Sequence, residues 1–120
     1  MPANIPAGAL GRPPSEFLAA VGLCADEWYR NPGHTWVGGM VAAGWWICGH
    51  TPHPPMRPDE EAVATRVQIA QEVMLAGTAV RRGTATEAAW ARGVHRMLRY
   101  AIGYTDELPL APTGRMPAAS

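Results

Sequence analysis

Lysine is absent from this 120-residue chain: its ten basic residues are all arginine, set against ten carboxylates, for a formal net charge of zero. That balance excludes a global attraction to nucleic acid or anionic lipid and leaves any such contact to a local patch. Serine is nearly as scarce. Ser15 stands at a helix-start signal and Ser120 at the terminus, so a serine triad has no usable nucleophile. Cysteine occurs only at Cys24 and Cys48. Met1–Ser15 carries neither a basic region nor an apolar core, so no export leader is expected and two packed thiols in a reducing cytosol are the reading. The longest apolar run, Trp36 to Gly49, falls short of the ~20 residues that span a bilayer. Strand-like alternation is missing too, and with it any strand-borne phosphate loop. The bias to Arg, Ala, Gly and Pro points to a GC-rich bacterial or phage coding origin.

What the chain does have is an internal echo. WVGGMVAAGWWICGHTPHPP from Trp36 returns in degraded form as WARGVHRMLRYAIGYTDELP from Trp90, an offset of 54 residues (36 against 90). Trp36/Trp90, Gly39/Gly93, Gly49/Gly103, Thr51/Thr105 and Pro55/Pro109 coincide, and His50/Tyr104 exchange ring for ring.

Around these anchors the pattern is helical throughout. Ser15 reads as the cap of a first helix to about Tyr29, with Phe17, Val21, Cys24 and Trp28 on one stripe. Asn31-Pro32 reads as the start of a second, ended by Gly49 in a left-handed cap. Four prolines between Thr51 and Pro58 make a stiff connector. Asp59-Glu60-Glu61 read as the acidic start of a third helix, with Val63, Val67, Ala70 and Met74 as its core stripe. Thr84 and Glu87 form a capping box for a fourth, carrying Trp90, Val94, Met97 and Ala101 inward and ending at Gly103. The expected fold is therefore all-α: a four-helix bundle built from two duplicated helical hairpins, units about 15–55 and 59–109 within a domain 15–107. A flexible arm (1–14) and a flexible tail (108–120) flank it.

Three constellations qualify as sites. Cys48, His50 and His53, with Cys24 or His34, offer zinc-type ligands, but Cys48 and His50 align with Ile102 and Tyr104, which need no metal, so no metal or cofactor is expected. The second helix has almost no polar side, and Val37, Gly38, Val41, Ala42 and Trp45 form a surplus apolar face suited to a facing helix. On the fourth helix Arg92, Arg96 and Arg99 form a row that Arg81 and Arg82 extend, a face for nucleic acid or another anion. His95 beside them reads as a solvated side chain. The leading expectation is a small cytoplasmic, non-enzymatic adaptor or regulator that binds protein and self-associates through the second helix. A nucleic-acid-binding regulator comes next, then a small structural subunit of a larger assembly such as a bacteriophage particle. No membrane partner is expected.

Overall fold

The computed structural model describes residues 4–110; expectations for residues 1–3 and 111–120 lie outside them. Four α-helices are present and, among the described residues, no strand: α1 (Pro14–Arg30), α2 (Thr35–Ile47), α3 (Arg66–Arg82) and α4 (Ala85–Ile102). No helix is long and apolar enough to cross a membrane among these residues.

The helices pack as a bundle in the order α1, α2, α4, α3, so α2 and α4 form the central pair. Glycine sets their approach. A Cβ on Gly93 would overlap the carbonyl oxygen of Trp36, and one on Gly39 would overlap that of Trp90, so each backbone lies against the other at a residue without a side chain. Met40, Ile47, Val94, Met97, Leu98 and Ile102 fill the surrounding core without solvent exposure beyond 2 %.

Helix starts depart from expectation in three places. Ser15 lies inside α1, which opens at Pro14, whose missing N–H falls among the donors left unpaired there anyway. Asn31 closes α1 instead of opening α2: its N–H bonds Glu27 O at 2.9 Å and its side chain bonds the Glu27 carboxylate. Asp59-Glu60-Glu61 sit in the connector, and α3 starts only after Thr65, whose side chain accepts from Gln68 N. Thr84 caps α4 as expected, its Oγ1 accepting from Glu87 N at 3.2 Å, but the box is not closed: the Glu87 carboxylate accepts from the Thr84 hydroxyl at 3.1 Å rather than from its N–H. The two glycine ends are as expected, where Gly49 and Gly103 adopt φ of +80° and +88°. His50 N then bonds Trp45 O and Tyr104 N bonds Arg99 O, each at 2.9 Å.

The phase of α3 differs most. Val63 and Val67 are each 68 % exposed and Met74 73 %, while Ile69 and Ala76 are fully buried and Val73 and Val80 pack against the core. A buried carboxylate fixes this rotation: Glu72 accepts from Met56 N at 2.7 Å and from Arg57 Nε at 2.8 Å. Turning Val67 and Met74 inward would turn Glu72 away from both donors.

The described parts of the segments expected to be flexible, residues 4–14 and 108–110, contact the bundle. Asn4 N donates to Cys48 O and Gly11 N to Ala101 O, so the arm crosses the ends of both central helices. Arg12, its side chain 7 % exposed, lies over the Tyr100 ring and donates to Tyr100 O and Thr105 O, neutralising the carbonyl end of α4. At the other end Arg96 bonds the carbonyls of Leu108 and Pro109, and Leu110 is buried.

Candidate functional site

The face of α2 expected to await a partner is occupied by the chain itself. Val37 and Val41 are 0 % and 3 % exposed, and Gly38 is buried beneath the rings of Trp28 and Trp90. Ala42 and Trp45 are half-buried. Val37, Gly38 and Val41 are thus covered within the chain, while Ala42 and Trp45 keep part of their surface exposed. The reason is a large-on-small fit: Trp28 of α1 seats on Gly38, and Val21 seats on Gly44.

The zinc-type residues are not brought together either. Cys48 is buried with its thiol pushed up to about 11 by burial, and Cys24, beside Met40 Sδ at 3.7 Å, is pushed up to about 12 for the same reason, so both stay protonated at neutral pH. His50 is exposed, and His53 places Nδ1 2.9 Å from Glu60 O. Among the described residues no three of His, Cys, Asp and Glu cluster as a metal would need.

The arginines are brought together, in a cleft of about 550 Å³ between the C-terminal half of α3 and the outer side of α4. Its walls are Arg81, Arg92, His95, Arg96 and Arg99, and Gly77 and Val80 give it an apolar floor. The spacing of 92, 96 and 99 is one helical face, and Gly77, having no side chain, leaves the room: a Cβ there would stand 3.7 Å from His95 Nε2. Arg82 is exposed and does not line the cleft.

The four guanidinium groups differ in what they already hold. Arg96 is 10 % exposed and committed, donating to Glu107 Oε1 at 2.7 Å as well as to the tail carbonyls. Arg81, Arg92 and Arg99 pair with no carboxylate among the described residues. His95, read from sequence as solvated, is half-buried among them. Burial first, then the charges of Arg99, Arg81 and Arg96, hold its pKa below the ordinary 6.5, so it is a neutral ring at neutral pH. The cleft thus presents guanidinium forks from Arg81, Arg92 and Arg99 beside one neutral imidazole able to donate or accept. Its lining residues include no serine, cysteine or carboxylate.

Gly77, Val80 and His95 are the lining residues that sequence reasoning missed. The signal was present: Ile69, Val73, Ala76 and Val80 have the same i, i+4, i+7, i+11 spacing as the stripe chosen for α3. Choosing it would have turned Gly77 and Val80 towards α4. Comparison with protein-family models, with curated proteins and with solved structures finds no match for this chain.

Proposed function

We propose that this chain is a non-enzymatic binding protein whose working surface is the cationic cleft between α3 and α4, where it holds an anionic partner. The observation that carries this reading is the convergence of Arg81, Arg92 and Arg99, none paired with a carboxylate among the described residues, around half-buried His95 in one concave space. Like charges gathered without counter-charge cost stability, a cost that a bound anion relieves. A concave space of this size suits a few side chains or a small ligand; a duplex backbone is tracked by a longer, flatter basic strip.

Descent of the two hairpins from one duplicated unit belongs to the same proposal and explains why the cleft sits where it does. The Gly39–Trp90 and Gly93–Trp36 contacts are reciprocal at the 54-residue offset, and the glycine ends match at that offset too. α1 and α3 are each 17 residues long and start 52 apart (14 against 66). On that alignment Val80 stands where Trp28 stands in the first unit, and Arg92, His95 and Arg99 stand where Gly38, Val41 and Trp45 stand. The large-on-small fit that closes the first unit is replaced in the second by a small residue beside arginine. The apolar face and the arginine face are thus one surface in two copies, sealed in the first and open in the second.

Titration with inorganic phosphate followed by amide and imidazole NMR tests the reading. Shifts confined to Gly77, Arg81, Arg92, His95 and Arg99, lost in Arg92→Gln/Arg99→Gln, are expected. Absence of shifts at low ionic strength, or shifts spread over every exposed arginine, would count against it.

A further inference from the structure

The cleft continues along α3 as something other than charge. Val67, Ala70, Met74, Gly77 and Arg81 follow one another at alternating spacings of three and four, which places them on a single strip of the helix surface. Its first half is apolar, with Val67 68 % and Met74 73 % exposed and Ala70 half-buried between them. Its second half is the cleft itself. The one carboxylate of α3, Glu72, is buried on another side against Arg57, so α3 adds no negative charge to the strip, and the carboxylate that reaches the cleft wall, Glu107, is held by Arg96.

Resting on the anionic-partner reading above, we propose that this strip and the arginines of α4 form one docking groove for an acidic amphipathic helix of a partner protein. Its apolar side chains would cover Val67 and Met74, and its carboxylates would meet Arg81, Arg92 and Arg99. Charge complementarity selects this occupant. A second copy docking through the same groove would set arginine against arginine. A nucleic-acid backbone would meet the arginines and leave Val67 and Met74 in water. An acidic helix with one apolar side satisfies both halves at once. From Val67 to Arg81 the strip is roughly 20 Å long at the rise of an α-helix, enough for about four turns of a partner lying along it.

The test is selection of the full chain against a displayed library of random peptides, followed by affinity measurement on the sequences recovered. Peptides that combine Asp or Glu with apolar residues at helical spacing are expected to dominate. Their affinity should fall at least about tenfold in Val67→Ser/Met74→Gln, an uncharged change at two exposed positions that leaves the core intact. That variant should keep the phosphate response at His95, whereas Arg81→Glu/Arg92→Glu should lose both. No enrichment, enrichment of basic or uncharged peptides, or affinity indifferent to Val67 and Met74 would overturn the proposal. So would duplex DNA or anionic phospholipid vesicles binding in a manner that depends on Val67 and Met74. Because the phosphate response does not need those residues, its loss would strike the cleft reading and its survival would isolate failure of the docking groove.

Discussion

Replacing Gly93 by alanine probes the contact on which the bundle turns. The added methyl carbon would overlap the Trp36 carbonyl oxygen and stand 2.7 Å from its carbon and 3.1 Å from Met40 N, all of them helix backbone that has no rotamer to yield. Relief requires α2 and α4 to part by roughly 1 Å, enough to forfeit a quarter to a half of the dispersion at each atom pair crossing the contact. Overpacking of this kind costs about 1–3 kcal/mol where side chains can adjust, and more where backbone blocks backbone. Alanine returns about 1 kcal/mol of helix propensity. A net loss of about 3 kcal/mol is expected, read by urea unfolding with far-UV circular dichroism, or as a fall in Tm of roughly 12 °C at about 4 °C per kcal/mol. Gly39→Ala should behave alike, and the double variant should lose less than the sum, since one separation admits both methyls. Gly22→Ala is the control: it is exposed within α1 with nothing within 4 Å of the added carbon, so it should gain about 0.5–1 kcal/mol. If Gly93→Ala proves as stable as the parent chain or as Gly22→Ala, the close approach of α2 and α4 is wrong.

The buried pair beneath α3 should be costly to break from one side. Arg57→Met leaves the fully buried Glu72 carboxylate with Met56 N as its remaining donor, and a loss of about 3 kcal/mol in urea unfolding is expected; a loss below about 1 kcal/mol would mean the pair does not set the phase of α3. His95 should make the fold sensitive to mild acid. Its folded pKa lies below the ordinary 6.5, so as pH falls through that value the unfolded chain takes up the proton first, and stability drops until the folded state protonates as well. Unfolding free energies measured between pH 8 and pH 5 should show that decline, and His95→Gln should flatten it. The thiols should resist alkylation at neutral pH until the chain is unfolded, because burial holds Cys24 and Cys48 in the protonated form with pKa values of about 12 and about 11. Rapid labelling of the native protein would contradict their placement.

Much of the fold was readable because its signals are local. Glycine at Gly49 and Gly103, the Thr84 cap and the apolar stripes of α1 and α4 each follow from neighbours within a turn or two. What escaped depends on contacts distant in sequence. Two equally spaced stripes compete on α3, and the choice is made by Glu72 reaching Met56 and Arg57 across the connector. The apolar outside of α2 looked unpartnered because nothing local announces that Trp28 would seat on Gly38. Arg12 and Arg96 gave no sign in sequence that one would close the end of α4 and the other hold the residues that follow it. The arginine row was visible from its spacing. That it faces α3 across a concave space, with His95 inside, required the corrected phase of that helix.

The central claim is that the α3–α4 cleft takes up negative charge, and the pKa of His95 reports on it directly. Titrated by imidazole NMR in a buffer of non-coordinating monovalent ions, His95 should protonate below its ordinary 6.5, and addition of inorganic phosphate should move that pKa upward, because an anion between Arg81, Arg92 and Arg99 opposes the charges that depress it. The backbone amide signals of His34, His50 and His53, which do not line the cleft, should stay in place on the same addition. A His95 pKa unmoved by phosphate, or phosphate shifts as large at the amides of His34, His50 and His53 as at His95, would contradict the account.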